Sequence, residues 1–71
     1  MEKTPIVKAV EACGGQARLA EKVGVSLSAV NQWVHGLRPV PPARCLDIEG
    51  AAGGVVTRYD LRPDVFGEAA A

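Results

Sequence analysis

The apolar residues of the first third of the chain follow the period of an amphipathic helix. Ile6, Val10 and Cys13 recur at spacings of four and three residues, which places their side chains on one face of a helix. Pro5 lies where a first helical residue is expected, and Gly14-Gly15 follows the last apolar position. The pattern therefore predicts a helix that begins at Pro5 and ends before the two glycines.

A second and a third apolar stripe follow, and a single glycine separates them. The second stripe begins at Gln16 and stops at Gly24, and Ser26 is a natural cap for the third. A chain that leaves one helix and enters another within about three residues needs a left-handed backbone conformation, which glycine adopts without a steric penalty. The pattern therefore predicts two helices joined by a sharp corner at Gly24. Their apolar positions are Leu19, Ala20, Val23, Val30, Trp33 and Val34.

The next segment, residues 36–42, contains three prolines and is predicted to be a loop. A fourth helix is predicted over residues 42–51, with Cys45 and Ile48 on its apolar face. Gly53-Gly54 is expected to end this helix.

The C-terminal segment carries weaker signals. Val55-Val56 is apolar and is predicted to be extended. Thr57 and Asp60 have the spacing of a capping box, a hydroxyl at the cap and a carboxylate three residues later. A short helical turn is therefore predicted, ending before Pro63, and Val65-Phe66 is expected to fold back onto the core.

Length and composition restrict the classes of protein. A chain of 71 residues allows one small domain, which we predict over residues 1–67, with a disordered tail at residues 68–71. Cys13 and Cys45 are too few for a disulfide scaffold and are not spaced as metal ligands, so we expect reduced, half-buried side chains. The sequence shows no signal peptide and no run of about 20 apolar residues, so a cytoplasmic protein without a membrane span is expected. The sequence contains no catalytic set of serine, histidine and acid, and no glycine loop that would bind a phosphate. We therefore expect neither an enzyme nor a cofactor.

The net charge is zero, but the charges are unevenly distributed. Residues 16–44 carry four basic side chains and one acidic side chain, a balance of +3, whereas residues 45–71 carry two basic and five acidic side chains, a balance of −3. Blocks of opposite sign in a small chain favour one surface that binds a polyanion. A mixed, solvated surface is the alternative interpretation.

Residues 16–35 resemble the helix-turn-helix motif of phage repressors and Cro-like proteins. An ordinary helical hairpin within a bundle is the alternative. The positions that agree with the motif are Gln16, Leu19, Ala20, Val23, Gly24, Val25, Val30 and Trp33.

The wider chain, from about residue 5 to residue 67, resembles the YdaS-like antitoxin and Cro-type regulator group of prophages and bacterial chromosomes. This resemblance implies an all-α fold, a compact lambda-repressor-like domain of four to five helices. It also implies a stand-alone, sequence-specific DNA-binding regulator that acts as a repressor. The segments that carry the resemblance are Gly14-Gly15-Gln16, Trp33-x-x-Gly36, Val40-Pro41-Pro42-x-Arg44, Ile48-Glu49 and Asp60-Leu61-Arg62-Pro63-Asp64-Val65-Phe66.

In such a motif the second helix, here residues 26–35, enters the major groove with its N-terminal residues at the base edges. Ser28, Asn31 and Gln32 share one helical face, and amide side chains can both donate to and accept from adenine. The alternative is that these residues form the solvated polar side of a short helix. The candidate base-contacting residues are Leu27, Ser28, Asn31 and Gln32.

Leu27 departs from the pattern of the phage repressors, which often carry a glutamine at this position. In those proteins the first residue of the motif commonly braces that glutamine, so Gln16 is predicted to lack this brace and to contact a phosphate instead. Two interpretations of Leu27 remain. Its side chain either contacts a thymine methyl group in the major groove or packs within the protein.

Basic and polar residues around this face are the candidate phosphate contacts. The spacing between His35 and the two cysteines fits no zinc pattern, so no metal is predicted. The candidate phosphate-contacting residues are Gln16, Arg18, Ser26, His35 and Arg38, with Arg44 as a further possibility.

Double-stranded DNA is the predicted partner. A single small unit reads about half a site, so we predict a homodimer on an inverted repeat with half-sites about 34 Å apart. Its interface is formed either by the fourth helix with residues 55–66 or by edge strands at residues 55–57. The competing function is a protein-interaction module, or an antitoxin that binds a toxin through the acidic C-terminal half.

Overall fold

The computed structural model describes residues 3–67, which form six helices and no strand. The predicted all-α class is therefore confirmed, whereas the predicted disorder at residues 68–71 lies outside the described residues. None of the helices formed by residues 3–67 has the length and apolar character needed to cross a membrane. The helices are α1 (Pro5–Cys13), α2 (Gln16–Val23), α3 (Leu27–Val34), α4 (Pro42–Ala51), α5 (Arg58–Leu61) and α6 (Pro63–Phe66).

The core lies where α1, α2, α3 and α4 meet, and small side chains dominate it. Each helix turns its apolar stripe inward, as its periodicity predicts. Cys13 and Cys45 are 8% and 0% exposed, so they are buried rather than half-buried, because both lie on these stripes. Burial raises the pKa of the Cys45 thiol. The buried apolar residues are Ile6, Ala9, Cys13, Leu19, Ala20, Val23, Val30, Trp33, Val40, Cys45, Ile48, Ala52 and Val56.

The corner between α2 and α3 forms as predicted. Gly24 has φ 80° and ψ 32°, the left-handed conformation, and its N–H donates to the carbonyl oxygen of Ala20 at 2.9 Å. The N–H of Val25 donates to the same oxygen at 3.0 Å, which closes the turn. Ala20 itself is buried, so a small side chain fills the place where the two helices approach.

The C-terminal segment differs from the prediction in two respects. Val55-Val56 lies in a turn rather than an extended stretch, since Ala52 accepts a hydrogen bond from the Val55 N–H at 3.3 Å and Val56 is buried. Residues 55–57 therefore do not form the strand that the edge-strand alternative for the interface requires. A further short helix, α6, follows Pro63 where only a return to the core was expected, because proline is tolerated at a first helical position.

Side-chain hydrogen bonds fasten α5 and α6 to the rest of the fold. The capping box predicted for Thr57 and Asp60 is present. Glu49 accepts hydrogen bonds from the backbone N–H of Arg58 at 2.7 Å and from its guanidinium at 3.4 Å. Arg62 donates to the Val40 carbonyl oxygen at 2.8 Å and to both carboxylate oxygens of Asp64, which lowers the pKa of the Asp64 carboxyl.

Alanine at Gly24 is expected to destabilise the fold by about 1–2 kcal/mol, the cost of a left-handed conformation for an L-residue. A Cβ atom at this position would meet no heavy atom within 4 Å, so the cost is conformational rather than steric. The free energy of unfolding in urea, followed by the fluorescence of Trp33, measures it. Gly50→Ala is the matched control, because Gly50 lies in α4 with equally open space and alanine favours helix there. Equal effects of the two substitutions would contradict the prediction.

Candidate nucleic-acid interface

The helix α3 is held firmly at both ends. The Ser26 hydroxyl oxygen accepts a hydrogen bond from the Ala29 N–H at 3.1 Å, which makes Ser26 the N-cap. At the other end, the N–H of His35 donates to the Asn31 carbonyl oxygen at 3.0 Å. Val30 and Trp33 are buried against the core, so the opposite side of α3 faces outward in a fixed orientation.

The predicted base-contacting residues all belong to this outward side or its margin. Ser28 and Asn31 are exposed, and Gln32 is partly buried. Leu27 is 53% exposed, which favours the interpretation that it is available for an apolar contact over the interpretation that it packs in the protein. The face is therefore polar and accessible, with one apolar side chain at its N-terminal edge.

Gln16 and Asn31 form a hydrogen bond that the sequence did not reveal. The Asn31 amide nitrogen Nδ2 donates to the Gln16 amide oxygen Oε1 at 3.3 Å, joining the start of α2 to the middle of α3. Gln16 therefore braces a residue of α3 after all, although not Leu27. Asn31 follows Leu27 by four residues and so lies on the same side of the helix, one turn along. This spacing is the signal that could have indicated the pair.

The predicted phosphate-contacting residues surround α3. Arg18, Ser26, His35 and Arg38 are exposed, and Gln16 is partly buried. They occupy the first turn of α2, the two ends of α3 and the loop after it, and the Arg38 N–H donates to the Gln32 carbonyl oxygen at 3.4 Å.

The ion pairs formed among residues 3–67 lie outside the helix-turn-helix segment, residues 16–35. Within residues 3–67, neither Arg18 nor Arg38 takes part in an ion pair. Arg44 lies 3.8 Å from the Asp47 carboxylate, so this further candidate has an acidic partner on its own helix. Two cations next to the polar face thus keep their charge available for an external anion. The paired residues are Lys3–Glu11, Arg44–Asp47, Arg58–Glu49 and Arg62–Asp64.

The histidine and the two cysteines lie apart in the described part of the chain. Residues 3–67 contain no group of three or more His, Cys, Asp or Glu side chains placed to hold a metal ion. His35 lies at the end of α3, where its ring Nδ1 is 3.4 Å from the Asn31 carbonyl oxygen, whereas both cysteines are buried in the core.

Comparison with known proteins gives three matches. The family model described as "Bacterial toxin YdaS" matches residues 6–70. A relative from Escherichia coli strain K12, named "Putative transcriptional regulator YdaS", is 48% identical over 52 residues, which are 73% of this chain and 53% of the relative. The chain therefore spans about half the length of this curated relative.

The third match is a solved structure, titled "Structure of the Cro protein from putative prophage element Xfaso 1 in Xylella fastidiosa strain Ann-1". It superposes with a TM-score of 0.83 and 41% sequence identity, and the match covers 90% of this chain and 97% of that chain. The expected resemblance to Cro-type proteins and the predicted Cro-like helical fold are thereby confirmed.

Proposed function

Because the chain belongs to the YdaS family, we propose that it is a transcriptional regulator that binds DNA in a sequence-specific manner and acts as a repressor. The observation that carries this proposal is the outward side of α3. Asn31 and Ser28 are exposed on a helix whose other side is buried in the core, so the polar side of the helix faces outward. The names of the relatives support the same function, since one is called a regulator and another Cro.

In the proposed complex α3 lies in the major groove. The amides of Asn31 and Gln32 pair with adenine edges, and the Ser28 hydroxyl donates or accepts as the base requires. Leu27, exposed at the N-terminal edge of this side, contacts a thymine methyl group.

Phosphate contacts flank this readout. Arg18 and Arg38, which have no acidic partner within residues 3–67, neutralise phosphates on the two sides of the groove. Gln16, Ser26 and His35 add hydrogen bonds that fix the register. Few cations mean few neutralised phosphates, so a single copy binds with modest affinity.

We propose a homodimer on an inverted repeat, assembled through α4 and the C-terminal segment. Three of the large exposed apolar side chains lie there, Leu46, Val55 and Val65, at 57%, 65% and 47% exposure. Light scattering after size exclusion at micromolar concentration is expected to give twice the 7.4 kDa mass of one chain. A strict monomer, both free and on its DNA site, would contradict this part of the proposal.

In vitro selection from a random DNA library tests the function directly. The expected result is enrichment of an inverted repeat with A·T pairs in each half-site, with half-sites about one helical turn apart. A library that stays random after repeated rounds would contradict sequence-specific binding.

The second candidate is a protein-interaction module, or an antitoxin that acts mainly by binding a toxin partner. The acidic block of residues 45–71 favours an activity through protein contacts, whereas the family description names a toxin and not an antitoxin. A variant with alanine at Asn31 and Gln32, which lacks both amides, separates the two functions. If it binds the selected DNA as well as the original chain does, the module is favoured.

A further inference from the structure

We infer that Gln16 is a positioning residue that makes Asn31 specific for adenine over guanine. The inference rests on the proposed function, since it concerns how the outward side of α3 reads a base. Gln16 lies on α2 and Asn31 on α3, so the orientation of the Asn31 amide is set by the crossing of two helices rather than by its own helix alone.

The hydrogen bond to Gln16 determines which donors and acceptors of the Asn31 amide remain for a base. An asparagine amide carries two N–H donors and one carbonyl acceptor. One N–H is donated to the Gln16 oxygen at 3.3 Å, so one N–H and the Oδ1 acceptor remain for a base. Adenine presents one acceptor, N7, and one donor, N6–H, in the major groove, which matches the remaining pair.

Guanine is disfavoured for the same reason. It presents two acceptors in the major groove, N7 and O6. Asn31 has a single N–H left while it is bonded to Gln16, so one guanine acceptor would stay without a donor. An Asn31 amide released from Gln16 could direct both N–H donors to guanine, and the preference would relax.

Gln16 has a separable second role. Because its oxygen accepts from Asn31, its own N–H donors remain for a phosphate. Two substitutions therefore separate the two roles of Gln16. Gln16→Glu keeps the acceptor for Asn31 but removes the phosphate donors and adds a negative charge. Gln16→Lys removes the acceptor and places a cation near the phosphate.

The test uses the site selected by the unaltered chain and a duplex in which the adenine read by Asn31 is replaced by guanine. That adenine is identified as the position whose preference Asn31→Ala removes. The original chain is expected to prefer adenine by roughly 5- to 150-fold, the range of a good bidentate contact. Gln16→Glu should bind both duplexes more weakly but keep this ratio. Gln16→Lys adds a cation that favours phosphate contact on either duplex, and it should reduce the ratio to about two-fold or less.

A double-substitution cycle completes the test. In an Asn31→Ala background, Gln16→Lys should leave the adenine-to-guanine ratio unchanged, because no amide remains to be oriented. An unchanged ratio in Gln16→Lys alone would overturn the inference and leave the proposed function intact. A ratio lost equally in Gln16→Glu and Gln16→Lys would also overturn it. If the original chain enriches no DNA sequence, the proposed function fails and this inference fails with it.

Discussion

Alanine at both Asn31 and Gln32 is expected to abolish sequence-specific DNA binding while the fold stays intact. Each bidentate amide contact is worth about 1–3 kcal/mol of discrimination, so loss of two corresponds to roughly a 30- to 10⁴-fold decrease in affinity for the selected site. Alanine is the best helix former, so α3 itself should not be weakened. Fluorescence anisotropy on the selected duplex and on a scrambled duplex measures the effect.

The design of this experiment separates readout from charge. Neither substitution changes the net charge, so weak, salt-dependent binding to the scrambled duplex should persist. Lys8→Gln, at an exposed position of α1, is the control that should keep the preference for the selected site. An Asn31/Gln32 double variant that retains both the affinity and the sequence preference would show that α3 does not read bases.

The largest expected loss of stability comes from Trp33→Ala. Trp33 is 7% exposed and belongs to the core between α3 and the other long helices. Truncation of a buried tryptophan costs about 3–5 kcal/mol. A chain of this size is stabilised by only about 4–11 kcal/mol in total. Urea unfolding followed by far-UV circular dichroism should therefore show a marginally folded or unfolded variant at room temperature.

Two further variants test whether the loss of stability comes from the buried ring of Trp33. Trp33→Phe keeps an aromatic ring in the core and should cost clearly less than Trp33→Ala. Ser28→Ala, at an exposed position of the same helix, should stay within about 0.5 kcal/mol of the original chain. A Trp33→Ala variant that unfolds at the same urea concentration as Ser28→Ala would contradict the assignment of Trp33 to the core.

The four long helices could be predicted from the sequence because each carries its own local signals. Apolar residues at helical spacing define the buried faces, and Pro5, Gly24 and Ser26 mark helix ends by their own backbone and hydroxyl chemistry. The capping box at Thr57 is equally local and was predicted for the same reason. Signals of this kind lie within a few residues of the feature they determine.

The features that escaped prediction depend on contacts between distant segments. Val56 is buried because the turn after α4 directs it into the core, and a short apolar run cannot reveal such a turn. The bond between Gln16 and Asn31 spans fifteen residues and two helices, so it exists only once the helices cross. The outward placement of Ser28 and Asn31 was predictable from their helical spacing, but the partner of Asn31 was not.

The positive charge of Arg62 does not by itself account for the contacts that this residue makes. Its guanidinium serves two partners on different parts of the chain at once, the Val40 carbonyl oxygen and the Asp64 carboxylate. A lysine carries the same charge but lacks the planar fork that reaches both. The contact between Arg62, at the start of α6, and Val40, in the loop that follows α3, therefore depends on the shape of the guanidinium. Arginine and lysine are not equivalent at this position, although they carry the same charge.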